Sequence, residues 1–542
     1  MDQITKNHMN SSMTTIPTIP EFYEGKSVFI TGGSGFLGKV LIEKILRCCP
    51  GVKNLYLLMR PKRGKCVGDR LDELINLQVF DRLRKEQPDF KHKLIPIKGD
   101  VTSDELGIGG DDLALLRQDV SIVIHSAATV RFDEPLRVAM EMNVKAVRKM
   151  ITLCRSLPHL ISWVHVSTAY ANCDILYIEE KVYPPPVPPQ KLIEALDWMD
   201  DAMIDQVTPK LIKNKPNTYT FTKHLAEALL TEEATDLPIA IVRPSIIGAA
   251  WKEPYPGWID NVNGPSGFYI AEIEQAVKHC VGKGILRSMV VECEAIADIV
   301  PVDLPVNMIV SAAWYTAVMK PETRKVYNCT IGTVNPFTWG EMSSVVQDYF
   351  KRNPLEAAFR RPQLTFHRKS EKSSFDYWNF INHIIPAHLA DLAFRLVGQK
   401  PRMVRIFKRL QKMISTMSYF TQHTWEWTHT NSEVLTSSLT PNDKKQFYYD
   451  SRALNWPEYI EEYCLGTKKY ILNEDLSGLP AARAHLRKLR NIRYAFNTVM
   501  VIVLWRVLIA RSQFARNLWF FVLNLVFKFV RFFRISGTLN RH

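Results

Sequence analysis

A tyrosine and a lysine four positions apart, Tyr219 and Lys223, are the residues of this 542-residue chain whose types and spacing best suit catalysis. Residues four apart lie on one face of a helix, so the ammonium can lie near the phenol. A free phenol has a pKa of about 10, and a neighbouring cation lowers it toward the working pH. Thr168 ends a short apolar run, where its hydroxyl can donate to a carbonyl oxygen that gains negative charge. The three side chains predict proton transfer to a carbonyl group that accepts a hydride.

A glycine-rich stretch, Thr31 to Gly38, follows a strand candidate and opens a helix candidate. In that setting Gly32 permits a tight turn, Gly35 lets backbone N–H groups approach a pyrophosphate, and Gly38 lets the helix pack close to the strand. The pattern predicts a dinucleotide cofactor. The expected cofactor contacts in this turn are Gly32, Gly35, Phe36, Leu37 and Gly38.

Basic residues follow the second strand candidate, where an NAD-preferring site usually places an acid for the ribose 2′-hydroxyl. They are Arg60, Lys62 and Arg63. An acidic side chain would repel a 2′-phosphate, whereas these side chains attract it. We therefore expect NADPH, with Arg60 as the main contact, and a solvated basic turn is the alternative.

From Gly25 onward, short β-branched runs alternate with amphipathic stretches of helical length, as in a parallel sheet built from βαβ units. Six runs qualify as strands: Ser27 to Ile30, Asn54 to Met59, Leu94 to Lys98, Ser121 to His125, Ser162 to Val166 and Pro238 to Val242. They predict an α/β fold with a doubly wound parallel sheet, of the Rossmann type. In such folds Asp100 and Val101 line the adenine pocket, and Ala127 leaves room for the nicotinamide ribose.

Two irregular stretches interrupt this pattern. Five prolines between Pro184 and Pro189 lead into the acidic and apolar segment 191–212, and Glu253 to Gly267 mixes prolines and glycines with Tyr255 and Trp258. Loops of this length in a compact domain usually have a function, so we expect substrate lids, with solvated insertions as the alternative.

Four segments follow from these patterns. We expect a disordered N-terminus at 1–20, a reductase domain with lid insertions at 21–337, a mostly helical domain at 338–475 and a basic hydrophobic tail at 476–542. The nine cysteines include no C-x-x-C pair, which argues against a zinc site or a disulfide framework. We expect no metal.

The tail holds most of the chain's net charge of +14, because it contains twelve lysines and arginines and no acid after Asp475. These residues alternate with apolar runs, which favours a membrane surface and excludes nucleic acid as the partner. The runs Tyr494 to Ala510 and Asn517 to Val530 are shorter than the roughly 20 residues of a clean span. One span and a shallow hairpin are both open, and a hairpin buried against the helical domain is the alternative.

The basic cluster Arg483 to Arg493 precedes the first apolar run, which favours a cytosolic catalytic body. The C-terminus, Asn540 to His542, lacks a Ser-Lys-Leu address. We therefore expect the endoplasmic reticulum or lipid droplets rather than peroxisomes. The sequence leaves the oligomeric state open, with a homodimer as one option.

With these residues in hand, the chain resembles the extended short-chain dehydrogenase/reductase superfamily, and within it the fatty acyl-CoA reductases of the insect type. The blocks that carry the resemblance are TGGSGFLGKVLIEKILR, HSAATVRFD, VHVSTAYAN, YTFTKHLAE, IVRPSII and PGWIDNVNGP, with WEWTHTN in the helical part. It implies NADPH-dependent reduction of a long-chain acyl-CoA to a primary alcohol. It also implies that Tyr219, Lys223 and Thr168 are catalytic, with Lys223 reaching the cofactor.

Two other functions are compatible with parts of the pattern. A nucleotide-sugar epimerase or dehydratase shares the glycine turn and the Tyr/Lys pair, but it does not require the helical domain or the tail. A non-catalytic NADPH-binding membrane scaffold would need the cofactor half alone, and the intact set of Thr168, Tyr219 and Lys223 argues against it.

Overall fold

The computed structural model describes residues 16–62, 64–261, 286–356, 358, 360–361, 363–474 and 476–539. Arg63, the end of the stretch from Glu253 to Gly267, most of the segment 1–20 and the last three residues lie outside the described part.

The strands are short and most of them alternate with helices along the chain. They are β1 (Ser27–Thr31), β2 (Leu55–Met59), β3 (Leu94–Lys98), β4 (Val120–His125), β5 (Ser162–Val166), β6 (Tyr177–Ile178), β7 (Ile239–Pro244), β8 (Ile246–Gly248), β9 (Ser288–Val290), β10 (Ile299–Pro301), β11 (Lys325–Cys329), β12 (Thr365–His367) and β13 (Glu426–Trp427).

The described helices are numbered here in chain order. They are α1 (Ile19–Tyr23), α2 (Phe36–Cys48), α3 (Val67–Ile75), α4 (Asp81–Glu86), α5 (Gly110–Asp119), α6 (Leu136–Met140), α7 (Ala146–Arg155), α8 (Pro189–Trp198), α9 (Asp201–Ile212), α10 (Thr218–Glu233), α11 (Asp303–Val318), α12 (Trp339–Arg352), α13 (Lys372–Asn379), α14 (Ile385–Leu396), α15 (Met403–Met417), α16 (Thr430–Ser438), α17 (Pro441–Gln446), α18 (Trp456–Gly466), α19 (Leu479–Arg511) and α20 (Gln513–Leu539). π-helical turns lie at Glu141–Lys145, Phe380–Ile384 and Thr467–Ile471.

The central sheet has seven parallel strands in the order β11-β7-β5-β4-β1-β2-β3. The six predicted strands match β1 to β5 and β7 to within two residues. The seventh strand, β11, was not predicted, because no apolar run marks it: two of its five residues are polar, Lys325 and, in its interior, Asn328. That side chain is buried and donates to the carbonyls of Ile178 and Thr428 at 3.3 and 3.1 Å.

Alternate residues of each strand face two different cores, as the two-residue period of a strand requires. In β1, Val28 and Ile30 pack with α2 and α11, whereas Phe29 packs with α7 and α10. Both faces of the sheet are therefore covered by helices. The predicted doubly wound α/β fold is confirmed.

The chain beyond Thr338 is mostly helical, and Thr338 caps α12 where the second segment was expected to begin. The core is continuous across this boundary, because Leu435 and Tyr459 belong to the same cluster as β1 and α2. Two strand pairs also cross it, β13 with β6 and β12 with β9.

The folded body begins earlier than residue 20, the expected end of N-terminal disorder. Thr18 caps α1, and Ile19 is fully buried. The Ile19 N–H donates to both oxygens of Asp443 at 3.3 Å. These contacts tie the start of the chain to α17, so the expectation of disorder is wrong for the last residues of that segment.

The tail forms two consecutive helices, α19 and α20, which meet at Ser512. Trp505 and Trp519, seven residues on either side, contact edge to face at 5.5 Å, so the chain turns back at this point. α19 is long and apolar enough to cross a membrane, with a mean hydropathy of 1.6, and no part of its apolar window is buried. The alternative of a hairpin buried against the helical domain is therefore wrong.

Candidate active site

A cleft of about 1700 Å³ opens along the carboxyl ends of the central strands. Every predicted site residue that the structure describes lines it, from the glycine turn through Arg60 to Tyr219. Arg63 is the one predicted contact outside the described residues. Strand ends of a doubly wound sheet are where such folds bind ligands, so the fold itself brings these distant residues together.

The glycine turn is built for a close approach of backbone to ligand. Gly32 has a φ of +76°, and a Cβ there would lie 2.7 Å from the Ser126 hydroxyl. A Cβ on Gly38 would overlap the backbone of Gly32 and Gly33. Gly35 stands at the N-cap of α2 and has no side chain to cap it, so the first N–H groups of the helix are available to an anion. These residues fit a dinucleotide pyrophosphate.

The basic turn after β2 has one acidic neighbour. Nη1 of Arg60 lies 3.4 Å from the Asp100 carboxylate, and the Arg60 side chain is 61% exposed. Partial burial would raise the pKa of Asp100, but hydrogen bonds from Thr102 and Arg60 outweigh it and the pKa is lowered. Asp100 is therefore ionised beside Arg60, and Lys62 lines the cleft next to them.

α10 presents Tyr219 and Lys223 to the cleft on successive turns. Nζ of Lys223 donates to the Val166 carbonyl at 2.8 Å, which fixes the helix against the end of β5. Thr168 lies two residues after the end of β5, where its hydroxyl donates to the Pro244 carbonyl at 3.4 Å and lies close enough to the Tyr219 phenol to lower the pKa of that phenol. Thr168, rather than its neighbour Ser167, is thus the hydroxyl beside the phenol.

The pKa of Tyr219 differs from expectation. Burial raises it to about 12, against a smaller lowering by the Thr168 hydroxyl, and Lys223 is not among the groups that shift it. Burial lowers the pKa of Lys223 to about 8 in spite of Glu227 one turn away, so Lys223 has already lost its charge at the pH where the phenol ionises. The phenol is therefore protonated at neutral pH, the state in which it can donate a proton to a carbonyl oxygen.

A buried ion pair joins α10 to β7. Nε and Nη2 of Arg243 donate to the two oxygens of Glu227 at 2.8 and 2.6 Å, and neither side chain is exposed. Arg243 also donates to the carbonyls of Glu179 and Lys181. These contacts make the role of Arg243 structural.

His125 on β4 and His165 on β5 are buried and stack on each other in the core. Burial and the nearby Lys223 lower the pKa of His125 to about 3, so it is neutral. Its Nδ1 lies 2.7 Å from the Thr31 hydroxyl. These histidines are not bases of the site.

Several residues of the cleft are not marked by any local sequence pattern and were not predicted. Phe132 stacks on Tyr219 with 5.5 Å between ring centroids and contacts Phe420 at 5.2 Å. Arg409 and Lys412, on α15, form part of the cleft wall. α15 lies far from the glycine turn and from Tyr219 along the sequence, and the fold brings it to the cleft.

The comparisons with known proteins agree with this arrangement. Family models described as male sterility protein match residues 30–309 and 382–474. The chain is 52% identical to fatty acyl-CoA reductase 1 of Xenopus laevis and 51% identical to that of Homo sapiens, in each case over 96% of this chain and 99% of the relative. It is 45% identical to fatty acyl-CoA reductase 2 of Mus musculus over the same shares.

Solved structures show a related fold. The terminal R domain of the myxalamid biosynthetic pathway superposes with a TM-score of 0.53 at 15% identity, over 84% of this chain and 93% of that one. The reductase domain of a nonribosomal peptide synthetase from Mycobacterium tuberculosis gives 0.53 at 17%, over 86% and 94%. The full-length relatives decide the family, which removes the nucleotide-sugar epimerase from the alternatives. The chain belongs to the fatty acyl-CoA reductases.

Proposed function

We propose that the protein reduces long-chain fatty acyl-CoA with NADPH to a primary alcohol and CoA, through an aldehyde, in a four-electron reaction. The observation that carries the proposal is the protonated Tyr219 phenol beside Thr168, in a cleft that also contains the glycine turn. A sensor or scaffold would need the glycine turn alone.

The cofactor end of the cleft supports a dinucleotide. Gly32, Gly35 and the start of α2 would hold the pyrophosphate, and Lys223 would reach the nicotinamide ribose. Arg60 and Lys62 are cations at the ribose end, which favours a 2′-phosphate and hence NADPH over NADH. When bound, the reduced nicotinamide would supply the hydride.

The protein's own groups manage the charge that develops on the substrate oxygen. Tyr219 and Thr168 are two adjacent donors, and a carbonyl oxygen between them is stabilised as it becomes an alkoxide. Tyr219 then gives its proton, which is favourable because an alkoxide is far more basic than a phenolate. The same pair serves both reductions. At the thioester, the oxyanion re-forms its C=O bond as the C–S bond breaks and CoA leaves as the thiolate, and at the aldehyde the alkoxide keeps the proton from Tyr219.

One wall of the cleft, built by Phe132 and by residues of the helical segment, suits an acyl-CoA. Phe132, Met417 and Phe420 are apolar, whereas Arg409 and Lys412 on α15 are cations. Lys412 pairs with Asp133 at 2.9 Å, and Arg409 has no ion-pair partner among the described residues. The apolar residues suit an acyl chain, and the cations of α15 suit the phosphates of CoA.

The tail supports a membrane location. We propose that α19 and α20 hold the enzyme on the endoplasmic reticulum or lipid droplets with the catalytic body in the cytosol. The basic residues before the apolar run of α19 favour that orientation. A fatty alcohol partitions into lipid, so the anchor places the enzyme where its product goes.

The test is NADPH oxidation with palmitoyl-CoA or stearoyl-CoA by the purified full chain, with fatty alcohol identified by mass spectrometry. Tyr219→Phe should retain NADPH binding and lose nearly all alcohol formation, because only the proton donor is removed. Tyr177→Phe, an exposed phenol on β6, is the matched control and should remain active. A wild-type protein that binds NADPH but forms no alcohol or aldehyde from either substrate would refute the proposal.

A further inference from the structure

The helices α13 and α14, joined by the π-helical turn Phe380–Ile384, expose an apolar stripe that the proposed chemistry does not use. Its members recur every three or four residues, the spacing of one helix face, and are 36–81% exposed. The apolar stripe consists of Tyr377, Ile381, Ile385, Leu389, Leu392 and Leu396. The opposite face is buried through Asn379, His383, Ala387 and Asp391. A soluble protein seldom turns such a face to water.

Three arginines lie together beside this stripe: Arg287, Arg360 and Arg493. The Arg287 N–H donates to Nε2 of His383 at 2.9 Å, and Nη1 of Arg360 donates to the Asn382 carbonyl at 3.3 Å. Both bonds end on the π-helical turn at the centre of the stripe. Arg493 belongs to α19, the root of the tail.

The arginines act on one another without a compensating acid. Burial, and then the charges of Arg360 and Arg493, lower the pKa of Arg287. Burial and Arg493 likewise lower the pKa of Arg360. None of the three forms an ion pair with a carboxylate within the described ranges, although Arg287 donates to the Gln363 side chain at 2.6 Å. Three positive charges held this close together favour the binding of an anion between them.

The position of the tail fixes what kind of anion can reach them. α19 runs along the segment before the stripe, because Arg483 donates to the Arg352 carbonyl at 2.9 Å and His485 contacts the Ala358 carbonyl at 2.9 Å. The apolar run of α19 begins at Tyr494, one residue after the arginine cluster. A membrane that holds the tail therefore meets the arginines and the stripe together.

We propose that the apolar stripe and the arginine cluster form a second membrane contact, which docks the catalytic body on an anionic lipid surface. The stripe lies at the boundary of headgroups and acyl chains, and lipid phosphates lie among the arginines. Tyr377 and Trp378 are the aromatic types that such boundaries favour. The helix that carries these two aromatic residues, α13, also carries one acidic residue, the exposed Asp376. Glu371 lies just before the start of this helix.

The proposed membrane contact is linked to the cleft through α14 and α15. Asp391 on α14 accepts hydrogen bonds from the N–H groups of Arg402, Met403 and Val404 at 2.7–3.0 Å, so α14 holds the start of α15. Residues later in α15 form the cleft wall. The proposed contact thus sets the cleft close to the lipid, and it rests on the membrane attachment proposed for the tail.

The experiment uses the full chain in nanodiscs of phosphatidylcholine, with or without phosphatidylserine, and a photo-crosslinking amino acid at one position. Leu389 in the stripe should crosslink to lipid. Val503 in α19 is the positive control, and exposed Trp198 on α8 is the negative control. Crosslinks from Leu389 to a second copy of the chain, or no lipid adduct while Val503 reacts, would overturn the proposal. A failure of Val503 as well would overturn the tail attachment too.

A second measurement tests the arginines. With both lipids present, phosphatidylserine should be enriched among the Leu389 adducts, and Arg360→Gln should reduce that enrichment roughly fivefold. Arg360→Lys should retain most of it, because the charge remains. Arg117→Gln, an exposed arginine on α5, is the matched control. Enrichment that is absent, or indifferent to Arg360, would show that these arginines do not select an anionic lipid, and would overturn that part of the proposal.

Discussion

Replacement of Lys223 by methionine should stabilise the cofactor-free protein while abolishing its activity. The ammonium is buried, and burial lowers its pKa from 10.5 to about 8. A shift of this size means that the charged form costs about 3 kcal/mol at neutral pH relative to the unfolded chain. Methionine removes that cost and fills a similar volume.

One contact opposes the gain. Lys223 donates to the Val166 carbonyl at 2.8 Å, and the variant leaves this acceptor without its side-chain partner. The loss of a buried hydrogen bond of this kind costs about 1–2 kcal/mol. The net expectation is a gain of about 1–2 kcal/mol at pH 7, with loss of alcohol formation and weaker NADPH binding.

The pH dependence separates this cause from better packing. The folded-state pKa of Lys223 lies below its unfolded value, so between about pH 8 and 10.5 the unfolded wild type binds more protons than the folded one. Lys223 therefore makes the wild type more stable as pH rises through this window. The advantage of Lys223→Met should shrink from about pH 8 upward, vanish before pH 10.5 and reverse there, because only the loss of the hydrogen bond to Val166 then remains.

The measurement is the unfolding temperature of both proteins in detergent without cofactor, from pH 7 to 10.5. Lys191→Met, on the exposed side of α8, is the control and should show no trend. If Lys223→Met unfolds below the wild type at pH 7, or if its advantage is the same at every pH, the argument from desolvation is refuted.

Three further changes test the cofactor turn, the cofactor preference and the tail. Gly38→Ala should weaken NADPH binding in a titration by about 1–3 kcal/mol, because its Cβ overlaps the turn, whereas Gly109→Ala meets open space and should not. Arg60→Ala should narrow the NADPH to NADH ratio of kcat/KM about tenfold, and a wild type that uses both equally would contradict the assignment. Truncation after Arg493, which keeps the contacts of Arg483 and His485, should make the protein extractable by carbonate, and persistent retention would place the anchor elsewhere.

Much of the fold and half of the site were predictable because their signals are local. The two-residue and helical periods from Gly25 gave the strands, and the glycine turn needs only its neighbours along the chain. That Thr168, Tyr219 and Lys223 line one cleft was predictable, because parallel strands bring their carboxyl ends to one edge of the sheet. The tail was predictable from composition alone.

The tertiary structure decided what depends on residues far apart in the sequence. β11 is a strand because it pairs with β7, and the carbonyls of Ile178 and Thr428 satisfy its buried Asn328; no local pattern encodes these partners. α15 became a wall of the cleft for the same reason. The spacing of Tyr219 and Lys223 suggested a phenol with a lowered pKa, but the fold buries Lys223, partly buries Tyr219 and raises the pKa of the phenol to about 12. Spacing places two side chains on one helix face, whereas their protonation depends on how much water the whole fold excludes.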